Sequence, residues 1–426
     1  MPRYECRIGR VEAGITTHWM LSRMALVATK LYNTALWEAR RQWVETGKIP
    51  SGFDLQKVVL ASSHHDYLPA HTYQHPAHQV GMAFRSWFRL RKKDPTANPP
   101  GFRKKQMLSS TLFTGYGFRL TESGTFLLTI GKKLRGEMSY PQRWLPLKVA
   151  WNTPLPADGR IVQIEITPRD GWFEIHAKMV LPEPVWKTEG QVIAVDLGMR
   201  NPIASVGEDG QVDLYKGGAI LAAKRYWNKE KARVQRQVME RSSDRKRSSK
   251  PLARMAKRGG AQTKHAIHAM STDFTQRCVE RNVKEVVVGD LRGIKKGADG
   301  KGKGWADKPS QNWHQFPSRM LVAQLGYKLA RHGIRLVEQD ERRTSRGRCS
   351  SCGCTDRAKL HRVHRGMFLC GSCGRVQNAD INGARNQLAR YLHREAKEAS
   401  TGSSRSLADL SVHRWDGHLW STVVAA

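Results

Sequence analysis

Four of the seven cysteines form two pairs, Cys349-x-x-Cys352 and Cys370-x-x-Cys373, with 17 residues between the pairs. Each Cys-x-x-Cys turn offers two thiolates to one ion, and this spacing is that of a four-cysteine zinc site. Four thiolates close the tetrahedron and leave no position for a reacting water, so the zinc expected here is structural. Cys354 lies within the run Cys349-Ser350-Ser351-Cys352-Gly353-Cys354 and could exchange with one of the four.

A second group of residues is acidic. The chain has 37 Asp and Glu against 72 Lys and Arg, so acids that end apolar strands stand out. Asp196 ends Val192–Val195 and precedes Leu197-Gly198, Asp290 follows Val286-Val287-Val288-Gly289, and the strand Ile334–Val337 runs into Glu338-Gln339-Asp340-Glu341. Asp380 opens the last helix within Asn378-Ala379-Asp380-Ile381-Asn382-Gly383-Ala384-Arg385-Asn386. Carboxylates at the ends of neighbouring strands can meet at one sheet edge and hold Mg²⁺, which takes a few carboxylates together with phosphate oxygens. Two such ions about 3.5–4 Å apart can activate a water and stabilise a leaving oxygen. The chemistry that follows is phosphodiester cleavage.

Composition favours the same partner. The formal charge of +35 over 426 residues is spread from Arg3 to Arg405, and a surplus of this kind is stabilised by a polyanion. No apolar run reaches the roughly 18 residues of a membrane span. The start, Met1-Pro2-Arg3-Tyr4-Glu5-Cys6, has no secretory apolar region. Cytoplasmic residence, with thiols kept reduced, is therefore expected.

The elements that must position these residues read as follows. Residues 1–13 are a basic strand, and Thr17 to about Lys93 carries apolar residues at helical spacing. Within it, Ala83 to Lys93 interleaves aromatics with cations, and His64, His65, His71, His75 and His78 show no metal-ligand pattern. From Phe102 to Pro184 short alternating runs are broken by Glu122-Ser123-Gly124, Asp158-Gly159 and Asp170-Gly171, which signals strands and hairpins of a barrel or sandwich. From Gly190 the order is three strands, a long basic helical stretch, strand, helix, strand, helix, a mixed α/β layer. The glycine-rich segment Gly293–Trp313 reads either as a lid over the acids or as a disordered surface loop. The Ser/Gly-rich stretch after Glu398 is expected to be a loose tail.

In combination, Ala194-Val195-Asp196-Leu197-Gly198, Val287-Val288-Gly289-Asp290-Leu291, Glu341-Arg342-Arg343-Thr344-Ser345, the cysteine knuckle and Asn378–Asn386 resemble the TnpB family. These are transposon-encoded RNA-guided DNA endonucleases related to the compact type V CRISPR effectors. The resemblance covers most of the chain and implies a multidomain α+β fold: a wedge β-barrel with an inserted helical recognition domain, then a RuvC-like, RNase H-like α/β nuclease domain with an inserted zinc knuckle. The boundaries are 1–16 and 102–185 for the wedge and 17–101 for the helical insertion. The nuclease takes 186–348 and 377–397, the knuckle 349–376 and the tail 398–426.

The implied activity is Mg²⁺-dependent cleavage of target DNA beside a short adjacent motif. The implied partners are a guide RNA and target DNA, with no membrane and a monomeric ribonucleoprotein. Many relatives carry a catalytic glutamate where this chain has Gly289. Some look rearranged, with a glutamate just before a Thr-Ser pair, and this chain is similar to those. The catalytic and Mg²⁺-binding set is therefore assigned as Asp196, Glu341 and Asp380, with Cys349, Cys352, Cys370 and Cys373 on zinc. Asp290 and Glu338 remain competing ligands, although a one-residue step from Gly289 turns the Asp290 side chain to the other face. The competing functions are a nuclease-inactive RNA-guided repressor and an unguided DNA-binding accessory of transposition.

Overall fold

Apolar and β-branched alternation in the first half of the chain and buried Val-rich runs in the second build two separate sheets. The computed structural model describes residues 3–240, 249–291, 316–342, 344–364, 366–395 and 410–424. The chain divides into two units, Met1–Glu183 and Pro184–Ala426.

In the first unit, β1 (Arg3–Glu12) leads into α1 (Ile15–Thr46), α2 (Gly52–Leu60) and α3 (Ala70–Arg91). Strands β2 (Thr111–Thr114), β3 (Phe118–Leu120) and β4 (Phe126–Thr129) follow. After the short α4 (Lys132–Glu137) come β5 (Trp144–Trp151), β6 (Arg160–Arg169) and β7 (Trp172–Leu181). Helix α1 stops at Gly47, whose φ of 68° suits a residue without a Cβ. Helix α2 starts in a capping box between Ser51 and Asp54. The strands form one sheet in the order β2-β6-β7-β1-β5-β4-β3. Its two edge strands follow one another in the chain across the turn closed by Gly117 N–H to Thr114 O at 2.6 Å, so the sheet curls toward a barrel. The N-terminal strand sits inside this sheet, between β7 and β5. One core joins helices to strands, with Met20, Met24, Leu31 and Phe84 packed with Phe113, Phe126, Ile164 and Ile175. Of the Ala83–Lys93 aromatics, Phe84 and Trp87 are buried in that core and Phe88 remains 38% exposed.

The second unit opens with β8 (Gln191–Asp196), β9 (Ile203–Gly207) and β10 (Val212–Lys216), then α5 (Gly218–Glu240) and α6 (Lys250–Glu280). It continues through β11 (Val283–Asp290), α7 (Ser318–Ala330) and β12 (Arg335–Asp340). A small three-stranded sheet, β13 (Leu360–His364), β14 (Met367–Cys370) and β15 (Val376–Asn378), precedes α8 (Ala379–Glu395), and β16 (Leu410–Trp415) and β17 (Trp420–Val424) follow. The main sheet has the order β12-β11-β8-β9-β10-β16-β17. Strands β8, β11 and β12 run parallel, while β9 is antiparallel to both β8 and β10.

Period-two alternation assigns the two faces of this sheet. Ile193, Val195, Val286 and Val288 pack with Met270 and Phe274 of α6 and Leu321 and Leu325 of α7. Val192, Ala194 and Val287 pack against Ile381, Ala384 and Leu388 of α8.

The loose-tail expectation is corrected for residues 410–424. Strand β16 pairs in parallel with β10, and β17 completes a hairpin on it. Specific side chains hold the hairpin. His413 is fully buried, bonded to Asp213 at 3.1 Å and stacked on Tyr215 at 4.3 Å between centroids. The Trp420 indole donates to Ala266 O at 3.1 Å. Residues 396–409 lie outside the described residues, as does Gly293–Trp313, read as a lid or a surface loop. Helix α6 begins at Lys250, with the Ser249 hydroxyl accepting from Leu252 N–H as its cap. Among the described residues no helix is long and apolar enough to cross a membrane.

Candidate functional site

Carboxylates gather where β8, β11 and β12 end, on the α8 side. In β8 the even-numbered residues face α8, so Asp196 follows Val192 and Ala194 onto that face. It lies against Gly383 of α8, where an added Cβ would overlap the Asp196 carboxylate. A side chain at 383 would therefore push helix and carboxylate apart. Asp380, in the first turn of α8, has its Oδ2 bonded by Asn201 Nδ2 at 2.7 Å. Its Oδ1 is 3.5 Å from the Arg362 guanidinium of β13.

Glu341 arrives from the end of β12. Strands β11 and β12 pair with Gly289 opposite Gln339 and Asp290 opposite Asp340. A Cβ at Gly289 would overlap Glu341 Oε2 and lie 2.9 Å from Glu341 Cβ. The Glu341 carboxylate thus occupies the space a side chain at 289 would take. Odd residues of β11 face α8, as Val287 does, so Gly289 shares that face and Asp290 lies on the other. Glu338 belongs with the opposite face as well, held at 3.0 Å by Arg319 of α7.

The electrostatics agree with a set of acids held close together. Burial, then the charges of Asp380 and Glu341, raise the Asp196 pKa well above the ordinary carboxylate value, with Arg362 opposing. Burial, then Asp290 and Asp340, raise Glu341 to about 7. Glu341 Oε2, Gln339 Oε1 and both amide atoms of Gln387 are buried without a protein hydrogen-bond partner. Orphaned polar atoms of this kind are costly unless something else binds them. Hard oxygen donors with an unmet lone pair fit a divalent cation such as Mg²⁺. The fit is an open one: among the described residues, only the cysteines form a group of three or more metal-ligating side chains with donor atoms within 4.8 Å of one another.

That group is Cys349, Cys352, Cys370 and Cys373. Cys349 Sγ is 3.8 Å from Cys373 Sγ, and Cys352 Sγ is 3.6 Å from Cys370 Sγ. Burial works against the Cys370 thiolate, but the backbone N–H groups of Cys373 and Ser372 bring its pKa down to about 6. A thiol already inclined to ionise among three others suits a soft metal ion, and four such sulfurs can hold one. Cys354 stays outside the quartet and accepts from Ser372 Oγ at 3.2 Å.

Two asparagines one helical turn apart link the two sites. Asn382, fully buried, donates to Ser345 O at 3.2 Å and Arg348 O at 2.9 Å, and accepts from Ser350 N–H at 2.9 Å. Asn386 donates to Thr344 O at 2.6 Å and Arg348 O at 2.9 Å. Thr344 in turn caps Glu341 O at 2.7 Å through its hydroxyl. The strap from Glu341 to Cys349 is thus pinned to the helix that carries Asp380. The sequence places Asn382 and Asn386 in the Asn378–Asn386 motif without showing what they bind, and it gives no sign of Gln387, Asn201 or Arg362. Only the i,i+4 spacing of the two asparagines hinted at a shared helix face.

Comparison with known proteins bears on the same segments. The family OrfB_IS605, described as "Probable transposase", matches residues 172–295, and the family described as "Cas12f1-like, TNB domain" matches 319–387. The CRISPR-associated endodeoxyribonuclease Cas12f1 of Sulfoacidibacillus thermotolerans is 38% identical over 76 residues, 18% of this chain and 17% of that protein. The match therefore spans about a sixth of that relative. In fold, the chain is similar to Cas12f1 in the cryo-EM structure of its complex with sgRNA and target DNA. The TM-score is 0.55 at 12% identity, covering 88% of this chain and 83% of that one.

Proposed function

Since the chain is a relative of the TnpB family and of the compact type V effectors, we propose that it is an RNA-guided DNA endonuclease. It would cleave target DNA beside a short adjacent motif at Asp196, Glu341 and Asp380. One observation carries this reading: the carboxylate of Glu341 fills the space left by Gly289, on the face that also bears Asp196. A chain that had lost its chemistry would have no reason to keep an unpaired carboxylate oxygen buried beside two other acids. The strand order β10-β9-β8-β11-β12, with three antiparallel strands followed by parallel β11 and β12, supports the RNase H-like, RuvC-like assignment.

Asp196, Glu341 and Asp380 would hold magnesium, which supplies an activated water and charge stabilisation at the leaving oxygen. The chain's own contribution is to hold the three acids in place and oriented, with Asp196 and Glu341 poised to give up their protons when a cation arrives. Asn201 fixes Asp380 from one side, and Arg362 limits the repulsion felt by Asp380 and Asp196. The strap bound by Asn382 and Asn386 sets where Glu341 emerges. The four cysteines would hold one structural zinc. Target choice would be delegated to base pairing with a guide RNA, which leaves the protein's many Lys and Arg free for phosphate contact. The protein would work as a monomeric ribonucleoprotein in the cytoplasm.

The test is cleavage of target DNA under Mg²⁺ by protein carrying its copurified RNA, with Glu341→Ala and the transplant Gly289→Glu/Glu341→Gly. Loss in the first and partial return in the second are expected. A Glu341→Ala protein that cuts at the wild-type rate removes Glu341 from the site. A wild-type protein that binds RNA and target but never cuts leaves the repressor reading.

A further inference from the structure

Helix α8 brings more than Asp380 to the acids. Asp380, Gly383 and Gln387 stand at i, i+3 and i+7, which places them on one stripe of the helix. Gly383 lies against the Asp196 carboxylate, and Gln387 reaches the ends of β11 and β12. A Cβ at Gly289 would overlap Glu341 Oε2 and lie 3.0 Å from Gln387 Nε2. Glutamate and glutamine therefore converge on one glycine from two different elements.

Gln387 is fully buried, and neither atom of its amide has a hydrogen-bond partner among the described residues. Its backbone carbonyl accepts from Gln339 Nε2 at 2.8 Å, which ties α8 to β12 at this level. A buried amide left unpaired costs free energy that an apolar side chain of similar volume would not. Gln339 Oε1 and Glu341 Oε2 are orphaned in the same way. Three acceptor oxygens thus face one donor nitrogen, and a cation is what relieves a surplus of acceptors.

The three acids differ in how they are held. Asp196 is set by its strand against Gly383, and Asp380 is bonded by Asn201. Glu341 follows the last residue of β12, and among the described residues no side chain bonds its carboxylate. Carboxylates that ligate metals are themselves held by hydrogen bonds. The donor without a partner beside Glu341 is Gln387 Nε2.

We propose that Gln387 is a positioning residue of this site: its amide N–H holds one oxygen of the Glu341 carboxylate and so turns the other toward the divalent cation. The inference rests on the nuclease reading above and adds to it a neutral residue outside the acid set.

The experiment uses the full chain with its copurified RNA. The variants are Gln387→Met, Glu341→Gln and their double. Leu388→Met, one residue further along α8, controls for a methionine in this helix. Fe²⁺ with ascorbate and peroxide stands in for Mg²⁺, and backbone cuts beside residues 196, 341 and 380, mapped by mass spectrometry, report occupancy of this site apart from ions on the RNA. In Gln387→Met the half-maximal Fe²⁺ concentration should rise about tenfold to a hundredfold, the usual loss when a partner of a metal ligand is removed. The Mg²⁺ concentration that gives half the maximal cleavage rate should rise by the same factor. Within Glu341→Gln the methionine should add nothing, because the group it positions is already gone. In Mg²⁺-free buffer Gln387→Met should melt at or above the wild-type temperature, since two unpaired buried polar atoms are removed.

Gln387→Leu serves if the methionine variant fails to fold. A half-maximal Fe²⁺ concentration equal to that of Leu388→Met, or a loss that adds fully to that of Glu341→Gln, overturns the inference. So does a lowered melting temperature with occupancy unchanged, which would make Gln387 a packing residue. Absence of cuts beside the three acids in the wild type, or wild-type target cleavage by Asp196→Asn, overturns the nuclease reading instead. The backbone cuts need no target cleavage, so the two failures are told apart.

Discussion

The cysteine quartet and the carboxylate cluster are joined by one short strap, yet they are built on opposite principles. The quartet brings four soft donors within 4.8 Å of each other on turns that are partly exposed. Its donors are mutually compatible as soon as one ion arrives. The carboxylate cluster buries like charges, raises their pKa values and leaves an oxygen of Glu341 without a partner. A closed, self-satisfied donor set stabilises a fold, and an open, frustrated one is held in place by the fold around it. The difference is one of energetic sign. Metal at the first site is worth stability, whereas charge at the second costs it.

The largest expected effect probes the frustrated side. Asp196→Ala, Glu341→Ala and Asp380→Ala should each reduce Mg²⁺-dependent cleavage by about a thousandfold, on the order of 4 kcal/mol in barrier. RNA and target binding should change little, as read by gel shift. Thermal melting of metal-free Asp196→Asn should be higher than wild type, because a buried, repelled charge is gone. A lower melting temperature would break the comparison.

Next comes the closed side. Cys370→Ser should lower bound zinc from about one per chain to near zero, by elemental analysis. It should also melt the module built on Leu360, Phe368 and Ala379. Because Asn382 and Asn386 grip the strap that ends at Cys349, cleavage should fall along with it.

A subtler change sharpens the role of the vacant side chain. Gly289→Ala places a Cβ where Glu341 Oε2 sits and 3.0 Å from Gln387 Nε2. Cleavage should drop by about tenfold to a hundredfold, since a displacement of about 1 Å at a reacting centre costs that much. Global stability should fall by only about 1–3 kcal/mol in denaturant titration.

pH offers a test of sign. Glu341 rises from 4.5 to about 7 in the folded, metal-free protein. Its contribution is fully present below about pH 4.5 and is lost as pH climbs through about 7, a swing on the order of 3 kcal/mol. Stability of wild type minus that of Glu341→Gln should therefore decline over that window, and saturating Mg²⁺ should flatten the decline. The smallest effect is expected from Glu338→Gln, which lies on the α7 face beside Arg319 and should leave cleavage within twofold.

Much of the sheet was legible because its strands are short runs of Val, Ile and Ala whose alternation also fixes which way each terminal acid points. That alternation alone assigns Gly289 and Asp290 to different faces. The hairpin of Leu410–Val424 was not legible, since the Ser/Gly-rich stretch before it masked the alternation and His413 reads as a surface residue. Its partner Asp213 lies 200 residues away, a distance no local pattern spans. The polar clamp escaped for a related reason. Asn382 and Asn386 bind backbone carbonyls, and a carbonyl leaves no trace in residue identity.

The same 200-residue span governs how the molecule can be made. During synthesis, Val212–Lys216 emerges long before the strand that will lie beside it, and until Leu410–Arg414 appears one side of β10 is an unpaired row of N–H and C=O groups. Closing so long a loop carries an entropic cost that local structure cannot offset, so this pairing belongs to the last events of folding. The nascent second unit must wait as a sheet with an adhesive border, and its hazard during that interval is edge-to-edge pairing with another unfinished chain.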